Sequence, residues 1–286
     1  MSRASRRASE RSASVRRFAE VVLPPLVAGV ILLGLWELVV RAFDLKPYFL
    51  AAPSKIAGAL SDNADSVWSA TVTSGTNALV GLVIGTALGI AVAFVLMRFR
   101  VLDDLATPLA VALNAVPIVV LVTVLNTMFS SASEVPRRVM VTLVVYFIVL
   151  VNVAKGLRQV QPTHLELMRS YAASSTAVLR KARIPNAVPY LFTALRIAAP
   201  TAVITAFVAE YFGGKQNGLG YGITSNAAVS RNGVTWAYVV GACAVGLGFY
   251  LVAVGLERVA SPATARSPHQ SNQQQARGLT PGGATA

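Results

Sequence analysis

Six long apolar runs divide this chain, and they constrain its fold more than any other feature. They lie at about residues 21–40, 72–97, 105–129, 139–154, 190–212 and 236–256. A helix needs about 20 residues, at 1.5 Å each, to cross roughly 30 Å of hydrocarbon. Five runs are long enough and the fourth, with about 16 residues, is marginal. The runs predict an all-α, polytopic membrane protein with six transmembrane helices.

Charge placement predicts how these helices are oriented. The formal net charge of +13 would suggest a nucleic-acid partner on a soluble domain, but 55% of the residues are apolar and only 13% charged, against about 25% charged in soluble domains. Seventeen Lys and Arg residues flank one side of the predicted spans and seven flank the other, with Arg196 inside a run. The positive-inside rule therefore places both termini in the cytoplasm. We expect lipid, and no nucleic acid, as the partner of these charges.

The two ends of the chain differ in composition from the middle. Residues 1–20 and 259–286 are rich in small and polar residues with little to bury, which predicts disordered cytoplasmic tails around a membrane domain at 21–258. The first apolar run follows basic residues as in a secretory signal. It is longer than the 7–15 residues of such a signal, which favours an anchor that stays in the protein.

The sequence offers few groups for enzyme chemistry. It has one cysteine, Cys243, and two histidines, His164 and His269, which excludes a disulfide framework and leaves little for a metal site. The nearest approach to a phosphate-binding loop, Gly213–Gln216, lacks the upstream glycine and the Ser or Thr that binds magnesium. We expect no catalytic residue, no metal site and no bound cofactor, so any ATP would be bound by another chain.

One long loop, at residues 155–189, lies between the fourth and fifth runs. Thr163 and Glu166 fit the T-x-x-E capping box, which predicts a helix start at Thr163. Nothing breaks a helix from there to Arg183, and Ile184–Pro185 is expected to end it. Four small residues at 172–175 would leave part of that helix bare for another protein to approach. The alternative is a surface helix without a partner.

The spacing in this loop resembles a known motif. Glu166-Leu167-Met168, then three residues, Ala172, and after twelve more Pro185 is similar to the EAA loop (E-A-A-x-x-x-G-x(9)-I-x-L-P) of binding-protein-dependent ABC importer permeases. The chain departs from the pattern at Leu167, Met168, Ala172, Ala182 and Ile184. The resemblance implies a cytoplasmic coupling helix seated on an ATPase. The residues implied for ATPase coupling are Thr163, Glu166, Leu167, Met168, Ala172, Ala173, Ile184 and Pro185.

Further stretches extend the resemblance from about residue 33 to 258. Four stretches are similar in order and spacing to the branch of this family that carries sulfonates, taurine, nitrate and thiamine precursors. They are Leu35–Leu38, Ala52–Lys55, Ala194–Ala198 and Gly218–Tyr221. The resemblance implies the type I ABC importer permease fold in a bacterial cytoplasmic membrane, working by alternating access. It also implies a homodimer, two cytoplasmic ATPases that hold ATP and Mg²⁺, and an extracytoplasmic binding protein.

Polar groups inside apolar runs are costly, so each is a candidate for function. Glu37 can pair with Arg41 four residues on, whereas Arg196 and Glu210, fourteen residues apart, lie about 21 Å apart along a helix and cannot pair. The candidate substrate-path or gate residues are Asn114, Asn126, Tyr146 and Glu210. For the asparagines and the tyrosine, hydrogen bonding between helices is an equal alternative.

Glycine recurs in two patterns along the chain. Gly81, Gly85 and Gly89 repeat at every fourth residue, which predicts a helix-packing face and allows a dimer contact. Five glycines between 213 and 222 predict a flexible or tightly turned outer loop.

Two other classes of membrane protein compete with the importer. An ion-gradient-driven secondary transporter would need a chain of intramembrane ionisable groups, and the runs lack one. A membrane-embedded enzyme would need a catalytic cluster, and the only adjacent carboxylates, Asp103 and Asp104, have no His or Cys nearby.

Overall fold

Helices form every regular element in the part of the chain that the structure, a computed structural model, describes: residues 3–46, 49–98, 117–130 and 132–260. This confirms the predicted all-α class. The helices are α1 Arg3–Ala42, α2 Pro53–Asp62, α3 Ala64–Arg98, α4 Ile118–Met128, α5 Val135–Arg158, α6 Pro162–Ser170, α7 Ser175–Val178, α8 Ile184–Tyr211, α9 Gly218–Ala228 and α10 Asn232–Ala260. A π-helical turn at Leu179–Arg183 joins α7 to α8.

Five helical stretches in the described residues are long and apolar enough to cross a membrane. They are Leu23–Ala42, Ala64–Met97, Val135–Arg158, Ser175–Tyr211 and Asn232–Val259. The run that looked marginal, at 139–154, belongs to the 24-residue helix α5, because basic residues at both ends extend the helix beyond the apolar run. Of the predicted third span, only Val119–Met128 is an apolar helix within the described residues, and Asn114 lies outside them. The count of six therefore stays a prediction.

The chain divides into two compact units. The first comprises residues 1–73 and 216–243, and the second comprises residues 74–215 and 244–286. Helix α1 begins at Arg3 and so continues into the segment for which composition predicts a disordered tail. The boundaries of the tails stay a prediction.

In the second unit, α3 packs along α5 in parallel. Three glycines of α3 meet three valines of α5 at a constant offset in sequence: Gly81 with Val141, Gly85 with Val145 and Gly89 with Val149. A Cβ atom at these glycines would lie 2.4–2.9 Å from the nearest atom of α5. Since a methyl group does not fit at that distance, the absence of side chains is what allows the two helices to approach.

Helix α5 also packs against α8, and this contact forms most of the core. Every fourth residue of α8 is a fully buried alanine: Ala194, Ala198, Ala202 and Ala206. These alanines share one apolar cluster with the valine stripe of α5. Without hydrophobic driving force in lipid, close packing by small residues and hydrogen bonds between helices hold such a bundle together.

In the first unit, Glu37 connects two of the stretches that suggested the family. Its carboxylate accepts hydrogen bonds from the Ser54 backbone N–H at 3.0 Å and the Ser54 hydroxyl at 2.8 Å. Arg41 pairs with the same carboxylate at 2.7 Å. Ser54 lies in the first turn of α2, where backbone N–H groups lack helical acceptors. Glu37 therefore caps α2 from α1, while the neighbouring Trp36 ring contacts Trp236 edge-on at 5.3 Å.

Candidate functional site

Polar side chains gather at one end of the helices of the second unit, where α5 begins and α8 ends. We call this group the polar cluster; its members are Ser74, Asn77, Glu134, Arg137, Arg138, Glu210 and Lys215. Because α3 and α5 run parallel and α8 runs antiparallel to α5, their chain directions bring these positions to the same end. The opposite end of the same helices carries the 155–189 loop.

Glu210 is a buried carboxylate within this cluster. Its residue is 2% exposed, and the hydroxyl of Ser74, which is 1% exposed, donates to Oε2 at 2.6 Å. A buried charge destabilises a fold unless it is paired and hydrogen-bonded. The hydrogen bond from Ser74 to Glu210 therefore joins α3 to α8 within the polar cluster.

Glu134 joins three other members of the cluster. Its carboxylate accepts a hydrogen bond from Asn77 Nδ2 at 2.9 Å and forms ion pairs with Arg137 at 3.0 Å and Lys215 at 3.3 Å. The carbonyl oxygen of Asn77 accepts from Arg138 Nε at 3.1 Å. Asn77, which is buried on α3, thus bridges an acidic and a basic side chain at the start of α5.

Arg137 is the central cation of the cluster. It is 1% exposed, and besides pairing with Glu134 it donates to the backbone carbonyl of Lys215. The chain that follows α8 is therefore held twice, through its main chain by Arg137 and through the Lys215 side chain by Glu134.

The glycine loop after α8 is tightly turned. Gly213 and Gly214 have φ angles of +123° and +87°, a region in which residues with a Cβ are strained. A Cβ at Gly214 would lie 3.0 Å from Oδ1 of Asn126. Asn126 on α4 therefore lies against this turn. The tight turn lies at Gly213 and Gly214. The other three glycines of the predicted loop, Gly218, Gly220 and Gly222, belong to helix α9.

The path candidates separate in the structure. Asn126 and Glu210 both lie at the end with the polar cluster. Tyr146 lies further along α5, half-buried against the apolar core, with its ring 4.8 Å from that of Phe147.

Sequence reasoning missed the roles of Ser74, Asn77 and Arg137. Charge placement treats Arg137 only as one of the charges that flank the spans. A signal for the other two exists, because Ser74 and Asn77 continue the α3 face that carries Gly81 and Gly85 at helical spacing.

At the opposite end, the predicted capping box is wrong. Helix α6 begins at Pro162, with Gln161 as its N-cap residue and no side-chain capping bond. Thr163 consequently lies inside the first turn, where it cannot act as N-cap. Proline is well suited to the first helical position for two reasons. Its φ angle is already helical, and the backbone N–H that it lacks would have no acceptor within the helix at that position. This preference decides where α6 starts.

The prediction of one helix up to Arg183 is also wrong. Helix α6 ends at Ser170, and Ala172 follows with a φ of +49°. The Ala173 N–H donates to the Met168 carbonyl at 3.0 Å and the Ala172 N–H to the Arg169 carbonyl at 2.9 Å. This pair of bonds is a Schellman motif, which ends helices at a left-handed residue. Ala172 occupies the position where the EAA pattern has glycine, the residue that adopts this conformation without strain.

The four small residues at 172–175 therefore form a turn and the start of a second helix. The Ser174 side chain accepts a hydrogen bond from the Ala177 N–H at 3.3 Å and so caps α7. Pro185 does not end the helix as expected. It lies in the first turn of α8, directly after the π-helical turn, where a missing N–H is tolerated.

Hydrogen bonds join the two ends of the 155–189 loop to each other beside the helix bundle, whereas helix α6 in the middle of the loop is exposed. Asn186 donates to the Gly156 carbonyl at 2.7 Å, and the Tyr190 hydroxyl donates to Gln159 at 2.8 Å. Helix α6 buries none of its residues against the described part of the chain. Leu167 is 55% exposed, and Tyr171, the residue that follows α6, is 78% exposed, whereas Leu165 and Met168 are half-buried.

Comparison with known proteins shows the family. Residues 85–266 match the family described as binding-protein-dependent transport system inner membrane component. A probable ABC transporter permease protein of Haemophilus influenzae is 30% identical over 70% of this chain and 81% of its own length. The formylaminopyrimidine transport permease protein of Halalkalibacterium halodurans is 29% identical over 70% of this chain and 79% of its own.

A solved structure shares the fold. A chain of the methionine ABC transporter MetNI, solved in inward-facing conformations, superposes with a TM-score of 0.51 at 18% identity, over 68% of this chain and 94% of that one. The apolar helices and the family match together identify a multi-pass inner-membrane protein. The chain belongs to the family of inner-membrane permease components of binding-protein-dependent ABC importers.

Proposed function

We propose that this permease is one of two identical subunits that import a small solute by alternating access. An extracytoplasmic binding protein delivers the solute, and two cytoplasmic ATPases, on separate chains, bind ATP and Mg²⁺ and drive the transport. Both termini of the permease lie in the cytoplasm, and so does the 155–189 loop. An ion-gradient-driven transporter is not favoured, because the family works with a binding protein.

The single observation that carries the coupling role is the exposure of α6. Leu167 and Tyr171 are large, exposed and four residues apart, so they lie on the same helical face. Exposed apolar side chains grouped on a polar helix mark an interaction surface. Together with Glu166, which is also exposed, they form the surface on which the ATPase docks.

Movement of this loop reaches the membrane helices through the contacts at its two ends. The Asn186 bond to Gly156 and the Tyr190 bond to Gln159 join the end of α5 to the start of α8. When ATP closes the ATPase pair, α6 moves and these bonds transmit the displacement to α5 and α8. ATP needs only to favour one of the two states, since a ligand shifts an equilibrium by its differential affinity.

The polar cluster acts as the gate at the extracytoplasmic end. Glu134, Arg137 and Lys215 tie the loop after α8 to the start of α5. Opening that end separates these partners and exposes Glu210 and Asn126, which then face the path. The Lys215–Glu134 pair suits a gate, because Lys215 is exposed and water can replace the carboxylate as its partner.

For the substrate, we favour a small heterocycle of the thiamine-precursor type over sulfonate, taurine and nitrate. The support is the relative named for formylaminopyrimidine transport. The purified binding protein that delivers solute to this permease, titrated with formylaminopyrimidine, taurine and nitrate, tests this choice. Binding of formylaminopyrimidine alone supports it, and binding of either anion in its place overturns it.

Uptake by the assembled transporter tests the coupling role, with Ala172 as the sensitive position. The substitution Ala172→Val places a β-branched residue where φ is positive, which costs about 1–2 kcal/mol or more. We expect uptake and co-purification of the ATPase to fall at least about tenfold. Ala172→Gly should preserve both, because glycine adopts this φ without strain.

The matched control is Ala177→Val, which makes the same change inside α7. It should transport like the original protein. Normal uptake by Ala172→Val, with the protein inserted at normal level, would contradict the coupling role.

A further inference from the structure

A cleft of about 560 Å³ lies between the end of α3 and the two short helices of the 155–189 loop. Its walls include Met97, the last residue of the candidate span in α3. Because the apolar run of α3 ends at Met97 and Arg98 follows it, the cleft lies near the level where this helix leaves the membrane, which is the level of lipid headgroups.

Two arginines line this cleft. Arg169 comes from α6, and the half-buried Arg183 comes from the π-helical turn before α8. Neither forms an ion pair with any described residue. The 155–189 loop has six basic residues and one acidic residue, Glu166. The positive charge of the cleft is thus not neutralised locally, and an anion bound there would be stabilised.

The other lining groups indicate which kind of anion fits. Ser175 and Thr176 add hydroxyl donors to the two guanidinium groups, a set suited to phosphate oxygens. Leu165 and Leu179 provide an apolar wall beside them. Inorganic phosphate would use only the polar part, whereas a phospholipid would use both parts.

The cleft faces away from Leu167 and Tyr171 of the surface proposed for the ATPase. Glu166 lies between the two faces, and Ala173 belongs both to the cleft lining and to the residues implied for coupling. Leu165 and Arg169 are four residues apart and share the face of α6 that lines the cleft. Leu167 and Tyr171, displaced by two residues, lie about 200° away around the helix and are exposed. A protein docked on that second face leaves the cleft open to the membrane surface.

We propose that this arginine cleft binds the headgroup of an anionic phospholipid. Arg169 and Arg183 hold the phosphodiester, and the apolar wall takes the glycerol and the first acyl carbons. Because Met97 at the end of α3 lines the cleft together with α6 and the π-helical turn, the bound lipid contacts both α3 and the 155–189 loop and so joins them. Lipid binding here depends only on the position of the cleft at the membrane surface, so it does not depend on which substrate the permease carries.

Native mass spectrometry of the purified permease–ATPase complex in mild detergent tests the proposal, with phosphatidylglycerol as the probe. The test variant is Arg169→Gln/Arg183→Gln. The matched control is Arg180→Gln/Lys181→Gln, which removes the same charge from exposed residues outside the cleft lining. We expect retention of phosphatidylglycerol to fall about tenfold in the test variant, since two charge-assisted contacts are lost, and to stay unchanged in the control.

Three outcomes would overturn the proposal. The first is equal retention of phosphatidylglycerol in the test and control variants. The second is displacement of the lipid by millimolar inorganic phosphate as readily as by added phosphatidylglycerol, which would indicate a phosphate site. The third is loss of the ATPase with unchanged lipid binding, which would assign the arginines to an acidic protein partner. Arg169→Lys/Arg183→Lys keeps the charge, so retained lipid in this variant excludes misfolding as the cause of the loss.

Discussion

At the scale of single residues, the structure assigns roles by burial. Arg137 and Arg138 are adjacent in sequence and equal in a count of flanking charges. In the structure Arg137 is 1% exposed and bonded to Glu134 and to the Lys215 carbonyl, whereas Arg138 bonds to Asn77. Although both residues are arginines, only Arg137 is the central cation of the polar cluster, because its position on α5 places its side chain inside the helix bundle.

The substitution Arg137→Met tests that role. It leaves the Glu134 carboxylate and the Lys215 carbonyl without their shared donor, and removing one partner of a buried ion pair costs about 3–5 kcal/mol. We expect a marked fall in the thermal unfolding temperature of the purified permease in detergent. Arg231→Met, at an exposed arginine, should change it little. A similar fall in both variants would show that Arg137 has no special structural role.

At the scale of helices, close packing depends on glycine at chosen positions. Gly85 faces the backbone of α5, where a Cβ would lie 2.7 Å from the Thr142 carbonyl oxygen. Gly29 on α1 has no described atom within 4 Å of the same position. Both glycines lie in apolar helices, but only Gly85 belongs to the every-fourth-residue repeat that predicts a packing face, and only Gly85 is required by a neighbouring helix.

Alanine at these two positions should therefore have opposite effects. Gly85→Ala forces the backbone of α3 away from α5 and should destabilise the permease by about 1–3 kcal/mol. Gly29→Ala should be neutral or stabilising by up to about 1 kcal/mol, because alanine favours the helix. Unfolding midpoints and folded yield after membrane extraction measure both effects. Equal stability of the two variants would contradict the observed packing of α3 on α5.

Helix boundaries in the 155–189 loop show where sequence patterns stop being informative. The T-x-x-E pattern predicted a start at Thr163, but the preceding proline moves it to Pro162. The small residues at 172–175 allow either a bare helix or a turn, and the hydrogen bonds of Ala172 and Ala173 select the turn. These alternatives differ by about 1 kcal/mol or less per residue, so the proline at the first helical position and two local hydrogen bonds are enough to decide between them.

At the scale of the whole molecule, the second unit has two chemically different ends. One end has acidic and basic side chains bonded to each other in the polar cluster. The other has a basic loop with a single acidic residue. Excess positive charge remains on the cytoplasmic side of membrane proteins, so we predict that the 155–189 loop lies in the cytoplasm and the polar cluster outside.

Site-directed labelling tests this orientation. In a Cys243→Ser background, Arg180→Cys and Arg231→Cys introduce thiols at exposed residues of the loop and of the segment between α9 and α10. A membrane-impermeant maleimide added to intact cells should label only the Arg231→Cys protein. Labelling of Arg180→Cys from outside would refute the predicted topology.

Apolar length and local spacing depend on no tertiary contact, and they suffice to establish the all-α class, the membrane environment, five candidate spans and the family. Which polar residues are partners depends instead on how the helices pack. Ser74 and Glu210 are 136 residues apart, and Asn77 and Glu134 are 57 apart, so no local pattern relates them. They meet because glycine and alanine stripes bring α3, α5 and α8 together at backbone distance, and buried charges persist only where that packing supplies partners.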